Sequence, residues 1–366
     1  MLLLLYAAFV TLAFLCLITL DARGYLRGAF KDGATGRKAG YRPKTLVIIP
    51  CKGRDIGLAE NLESIGRQEY HGYDIVAVVD STVDEALPAI KKAGISFVVA
   101  REVSRAASGK VNAILTAIER HGKYEVYVIA DSDILVDRKW LGTLIAPLAD
   151  GRVGLSTMYP YFKPVGGFWS KVKMVWGFVG EGLLENEKSR FGWGGSLAFR
   201  RDILQNFRAL AMNSRYSVSD DICITKAVAS MGLSMAYSNS SRPIVRTDDN
   251  FRTFYEWANR QTALSLLGYR RNLLYYGIAF YAAEILVFLS GIALAVTVSP
   301  LFVVFLLHTA IGIEKTYRKA GLSDPAISLI EMMSPFIYLS NLLLASRMRS
   351  IRWRGRSYRL PVSRAP

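Results

Sequence analysis

Residues 273–313 run for 41 positions with one formal charge, Glu284, and residues 1–20 (MLLLLYAAFVTLAFLCLITL) carry none. A helix needs about 20 mostly apolar residues to cross a bilayer, so both stretches have membrane length. A third apolar stretch, 326–346, contains Glu331 and Pro335. The rest of the chain is ordinary in polarity: across all 366 residues 51% are hydrophobic, 21% are charged and the mean hydropathy is +0.22. That mixture indicates a water-facing domain joined to membrane segments.

A net charge of +16 suits nucleic acid, anionic lipid or a phosphorylated ligand, and its distribution separates them. Residues 21–44 hold seven Lys or Arg against two Asp, and the last twenty residues hold seven Arg and no acid. Both clusters border apolar runs, as cytoplasmic membrane edges do. The expected partner is therefore the membrane and not nucleic acid. A cleaved signal peptide would want a basic start and a small-residue cleavage site, which segment 1–22 lacks, so it is expected to be an uncleaved anchor. The basic residues after it predict that the following domain lies in the cytoplasm. If the basic tail, 347–366, is cytoplasmic too, an even number of crossings lies between. Of the pieces 273–297, 300–313 and 326–346, one should then not span. Piece 300–313 reaches only ~20 Å as an α-helix. The alternative is that it completes a tilted hairpin with 273–297 and that the Pro-containing 326–346 segment is re-entrant or interfacial. Cys16, Cys51 and Cys223 are far apart, which predicts free thiols and no disulfide framework.

From 41 to 250 the pattern changes. TLVIIP (45–50), IVAVVD (75–80), SFVVA (96–100) and YEVYVIAD (124–131) are short, β-branched apolar runs. Helical stretches near 58–68, 85–93 and 110–121 separate them. This βαβ series predicts an α/β domain whose parallel sheet is covered on both faces, with its ligand crevice at the strand C-terminal ends. Residues 251–271 mix aromatics and Arg at helical spacing and read as an amphipathic interfacial helix.

Three of the strands end in chemistry. Asp131 and Asp133 flank Ser132 at one strand end, where two carboxylates can face a hard cation, Mg²⁺ or Mn²⁺, and diphosphate oxygens. A solvated turn is the plain alternative. Asp80 can accept from a base or ribose, or simply end its strand. The first strand ends in Pro50-Cys51-Lys52. Asp220 and Asp221 open a helix behind Ser219; capping and dipole effects explain them, and so does a general base. Lys110 and Asn112 can reach a phosphate or ribose, or face solvent. Trp193 and Gly194 begin a stretch, Trp193-Gly194-Gly195-Ser196, that reads as a flexible aromatic-edged loop able to approach a sugar or lipid, or as a plain Gly-Gly turn.

Seven segments in order, PCKGRDIGLAENL (50–62), VVDST (78–82), SGKVNAI (108–114), DSDILV (131–136), WGGSLAFRRDIL (193–204), SDDICITKAV (219–228) and RWRGRSYRL (352–360), resemble family 2 glycosyltransferases and, within them, ceramide glucosyltransferase and its relatives. The resemblance implies a GT-A fold and an inverting, metal-dependent transfer of a hexose from a UDP-sugar to a membrane lipid. It implies that Asp80 contacts the nucleotide, that Asp131 and Asp133 engage metal and diphosphate, and that Asp221 is the base. The family's fourth motif is Gln or Arg, two variable residues, then Arg-Trp. Here the stretch Trp257-Ala258-Asn259-Arg260-Gln261 retains only the Arg, so the acceptor lipid stays open. Competing readings are a polyprenyl-phosphate glycosyltransferase, a small processive polysaccharide synthase and an inactive sugar-nucleotide-binding scaffold. Arg352, Arg354, Arg356 and Arg359 are expected in the cytoplasm near the mouth of the active site, either on anionic headgroups or on the nucleotide diphosphate.

Overall fold

The computed structural model describes residues 2–29, 40–213, 215–268 and 272–361. Part of the basic stretch (30–39), the end of the interfacial segment (269–271) and Arg364 of the tail lie outside the described residues. The helices in chain order are α1 (Leu2–Ala29), α2 (Leu58–Gly66), α3 (Leu87–Lys92), α4 (Gly109–His121), α5 (Trp140–Ile145) and α6 (Phe168–Glu185). They continue with α7 (Leu204–Ala211), α8 (Asp220–Ser230), α9 (Phe251–Gly268), α10 (Asn272–Thr297), α11 (Leu307–Ala320) and α12 (Ala326–Ala345). The strands are β1 (Thr45–Cys51), β2 (Tyr73–Val79), β3 (Ser96–Val99), β4 (Val126–Ala130), β5 (Ile134–Leu135) and β6 (Val153–Thr157). After them come β7 (Tyr161–Pro164), β8 (Ser196–Arg200), β9 (Ser234–Tyr237), β10 (Ile244–Thr247), β11 (Ser350–Trp353) and β12 (Arg356–Arg359).

Two units divide the chain. One, the sheet unit, holds residues 36–165, 179–248 and 349–366. Its seven strands run in the order β3-β2-β1-β4-β8-β6-β9. The first four are parallel, as the apolar runs predict, while β8 enters antiparallel between β4 and β6. Tyr127 of β4 stacks on Phe199 of β8 at 5.8 Å, and both are fully buried beneath α4 and α7 side chains. A smaller sheet, β5-β10-β7, adjoins the Asp131–Asp133 turn through β5. The C-terminal strands β11 and β12 form a hairpin whose turn places Arg354 at φ 47° and Gly355 at φ 76°.

The other, helical unit holds residues 1–35, 166–178 and 249–348. Helices α1, α10 and α12 contain stretches long and apolar enough to cross a membrane. Val10, Phe14 and Leu17 of α1 pack on Val287 and Leu294 of α10 and on Phe305. Polar groups fasten the same bundle: His308 lies 2.7 Å from Asp21 and 2.9 Å from Glu284, and Lys315 lies 2.6 Å from Asp21. The piece 300–313 is not an isolated short helix. A 3₁₀ segment, Pro300–Leu306, runs directly into α11, so ordered helix continues to Ala320. With ~2.0 Å rise per 3₁₀ residue and ~1.5 Å per α residue the run covers ~35 Å, not ~20 Å.

Candidate active site

Four motifs of the sheet unit meet on Lys110. Ser108 caps α4 by accepting from the Val111 amide, and this puts Lys110 in the first helical turn. A cation there opposes the helix dipole, so it needs partners. It has them: Nζ lies 2.7 Å from Asp131 and 3.2 Å from Asp220, and donates to the Gly194 carbonyl at 3.1 Å. Burial alone draws the ammonium pKa down, but Asp131 and Asp220 outweigh it and hold the lysine charged. Asp131 is fixed by its own amide donating to the Gly195 carbonyl at 3.0 Å.

The loop 193–195 must be glycine-rich for a steric reason. A Cβ on Gly194 would run into the Asp220 carboxylate, and one on Gly195 into the Trp193 ring. Trp193 is held by its amide donating to Thr157 Oγ1 at 2.9 Å and by edge contact with Tyr159 at 5.8 Å. Gly194→Ala is expected to lower transfer at least tenfold and to cost about 1–3 kcal/mol of stability, because a buried ion pair must move. Steady-state kinetics and thermal unfolding check both.

Asp220 and Asp221 differ. Asp220 is 2% exposed, and burial pushes its carboxyl up while Lys110 opposes the shift. Asp221 is partly exposed; its carboxylate accepts from the Ser219 hydroxyl and from the Ile222 amide at 2.8 Å. Ser219 occupies the N-cap position, yet its hydroxyl makes no capping bond. The predicted serine cap is thus corrected: the hydroxyl orients Asp221 instead.

The Asp131–Asp133 turn continues to a second cluster around Asp55, a residue that sequence reasoning missed. Asp55 accepts from Ser132 Oγ at 2.6 Å and from Arg354 of the hairpin at 2.6 Å. Arg354 also donates to the Lys52 carbonyl at 3.0 Å. Ser132 therefore faces Asp55 and serves the turn. Asp133 beside them has a buried Oδ1 with no hydrogen-bond partner, and burial together with Asp131 and Asp55 pushes its carboxyl up. A third cluster forms at Asp80, where Lys52 approaches to 2.8 Å and Arg356 to 3.0 Å. Tyr358 of the hairpin accepts from the Gly109 amide at 3.2 Å, and Trp353 lies 6.0 Å from Lys110 Nζ.

Not every candidate joins them. Asn112 is buried and its carboxamide is spent on the 104–107 loop: it accepts from Ser104 N and donates to the Ser104 and Ala107 carbonyls. It shapes a wall and presents no donor to a phosphate or ribose, because all three bonds are internal. Pro50 sits in β1 opposite Val78. Arg352 and Arg359 project from the hairpin strands and are exposed. Arg260 and Gln261 belong to α9, in the helical unit. The signal for Asp55 was its place in the 50–62 segment, but its partner Arg354 is 299 residues away.

The arrangement gathers acids and cations as a diphosphate-handling crevice at the sheet edge would require. Across the whole chain, residues 4–365 match the model for glycosyl transferase family 21. The chain belongs to glycosyl transferase family 21. The resemblance to ceramide glucosyltransferase falls in this family, so the number 21 replaces the family 2 expected from the motifs. Among solved structures this glycosyltransferase is similar to the mannosyltransferase PcManGT from Pyrobaculum calidifontis in complex with GDP-Man and Mn²⁺. The TM-score is 0.57 at 19% identity, covering 93% of this chain and 97% of that one. It is also similar to glucosyl-3-phosphoglycerate synthase from Mycobacterium tuberculosis in complex with Mn²⁺, UDP and glucosyl-3-phosphoglycerate. There the TM-score is 0.43 at 14% identity, covering 63% of this chain and 77% of that one. The enzyme has the GT-A fold.

Proposed function

We propose that this glycosyltransferase moves glucose or another hexose from a UDP-sugar to a hydroxyl of a membrane lipid, with inversion and with Mg²⁺ or Mn²⁺ bound. The observation that carries the reading is Lys110 held between Asp131 and Asp220, with Asp221 one residue on. One cation ties the acids suited to the leaving group to those suited to the acceptor. In-line displacement needs both on one line.

Asp131 and Asp133 would hold the metal. The buried Oδ1 of Asp133, which has no hydrogen-bond partner in the protein, fits a metal ligand, since a buried carboxylate oxygen without a partner is costly. Among the described residues no group of three or more His, Cys, Asp or Glu converges as a closed cage. A site completed by substrate phosphates is the usual manner for Mg²⁺. Bound there, the metal supplies charge stabilisation for the departing diphosphate. Lys52, Lys110, Arg354 and Arg356 would add fixed positive charge around the same diphosphate, with Asp80 released to the nucleoside. Asp221 would accept the acceptor proton, held in orientation by Ser219.

In this reading the catalytic domain would lie in the cytoplasm, with α1 as anchor and α9, which holds Arg260 and Gln261, in the membrane interface. Titration of the detergent-solubilised enzyme with UDP-sugars and GDP-sugars, in Mn²⁺, tests the donor assignment. Saturable binding of a UDP-sugar, weakened about tenfold in Asp55→Ala by loss of the Arg354 and Ser132 anchors, is expected. Preference for a GDP-sugar would overturn the uridine assignment.

A further inference from the structure

We infer that α12 does not cross the membrane: it lies in the plane of the leaflet on the catalytic side, and its exposed apolar stripe is a lipid-binding surface. The inference rests on the reading that α10 spans.

The bundle itself supplies a depth scale. Helix α10 and the 300–320 run are antiparallel, with Gly291 against Phe305 and Glu284 against His308 at 2.9 Å. By that register Tyr281 is level with about Gly312, and Gly277 with about Thr316. Helix α12 touches all four. Glu331 accepts from Thr316 at 2.9 Å and packs on Gly312. Tyr338 meets Tyr281 with ring centroids 5.1 Å apart, and Leu342 packs on Gly277. Eleven residues separate Glu331 from Leu342, ~16 Å of helix. Over that length the contacts move from α11 across to α10 while staying at one level. A spanning α12 would instead have moved ~16 Å along its neighbours.

The two faces of α12 agree with that placement. Ile327, Ile330, Ser334, Asn341 and Ala345 are buried. Asn341 bonds Trp176 at 3.1 Å and Asn259 of α9 at 2.8 Å, so polar groups fasten the inner face. Leu329, Met332, Phe336 and Leu343 form the outer stripe and are 37–52% exposed. Exposed Arg318, Lys319, Arg347 and Arg349 flank the helix at both ends, matching anionic headgroups. The chain leaves the sheet unit after Asp248 and rejoins it at Arg349, where the hairpin reaches Asp55 and Asp80. Two crossings, α10 and 300–320, satisfy that return, and a third by α12 would break it.

The test places one spin-labelled cysteine at a time in enzyme whose Cys16, Cys51 and Cys223 are replaced by Ala, in vesicles of phosphatidylcholine with phosphatidylserine. Depth is read for Leu329→Cys, Phe336→Cys and Leu343→Cys. Equal depths, within about 5 Å, are expected. A monotonic change of ~21 Å across these fourteen residues would overturn the inference. In parallel, a membrane-impermeant maleimide should label Ser323→Cys and Ser346→Cys from the side that labels Lys92→Cys on α3, and Val298→Cys from the other side. Ser323 and Ser346 labelling from opposite sides overturns the placement of α12. Val298 labelling from the Lys92 side instead overturns the spanning of α10.

Discussion

Asp221→Asn is expected to bind donor as the wild type does and to transfer sugar roughly 10²–10⁴-fold more slowly, the usual worth of a general base. The substitution keeps the hydrogen-bonding shape but removes the lone pair that would take the acceptor proton. Burial pushes the Asp221 carboxyl up, with Ser219 and Lys110 opposing. A base works only when deprotonated, so the rate should fall as pH drops through that raised value. The acid limb of kcat is therefore expected above the ordinary carboxylate range of about 4. Measuring kcat against pH at saturating donor checks the sign, and the Asn variant should lose the limb. A limb retained at the same pH in Asp221→Asn would move the role to Asp220.

Removal of divalent metal should lower transfer by ~10³-fold or more, because a metal at a leaving diphosphate is worth several kcal/mol. Asp133→Asn should reproduce that loss and also give an opposite signature in the metal-free protein. One oxygen of the native carboxylate, Oδ1, is buried without a hydrogen-bond partner. Replacing it by a neutral amide removes an uncompensated charge and should leave thermal stability equal or higher. Mn²⁺ with UDP should raise the unfolding temperature of the wild type and not that of the variant. Full activity in excess chelator would return the 131–133 turn to a structural role.

The parallel half of the sheet was legible because buried strands read as unbroken apolar runs; β1, β2 and β4 fall where TLVIIP, IVAVVD and YEVYVIAD indicate, and β3 falls at SFVVA although this edge strand is only partly covered. The antiparallel insertion of β8 was not legible, since pairing direction leaves no mark on SLAFR. Nor was the second sheet, whose strand β5 has only two residues. Within the site, Asp131, Asp133 and Asp220 were marked by their positions at element ends, a local signal. What lay hidden was non-local. Asp55 acquires meaning only through Arg354, while Asp80 was marked by its strand end and only its partners Lys52 and Arg356 were hidden. Asn112 misled because a polar residue near a helix start looks the same whether it faces a ligand or closes a loop. The 300–320 run was underestimated because its 3₁₀ turn cannot be told from α-helix by composition, and because only its apolar part, to 313, was counted.

The central claim is sugar transfer from a nucleotide to a lipid. Its most direct measurement is mass spectrometry of lipids after incubating the purified enzyme with UDP-hexoses, Mn²⁺ and total membrane lipid. The account predicts a lipid heavier by one hexose, released nucleoside diphosphate in equal amount, and both products formed at least about a hundredfold more slowly by Asp221→Asn. Nucleotide release without any hexosylated lipid, or a hexosylated water-soluble product in its place, would contradict it.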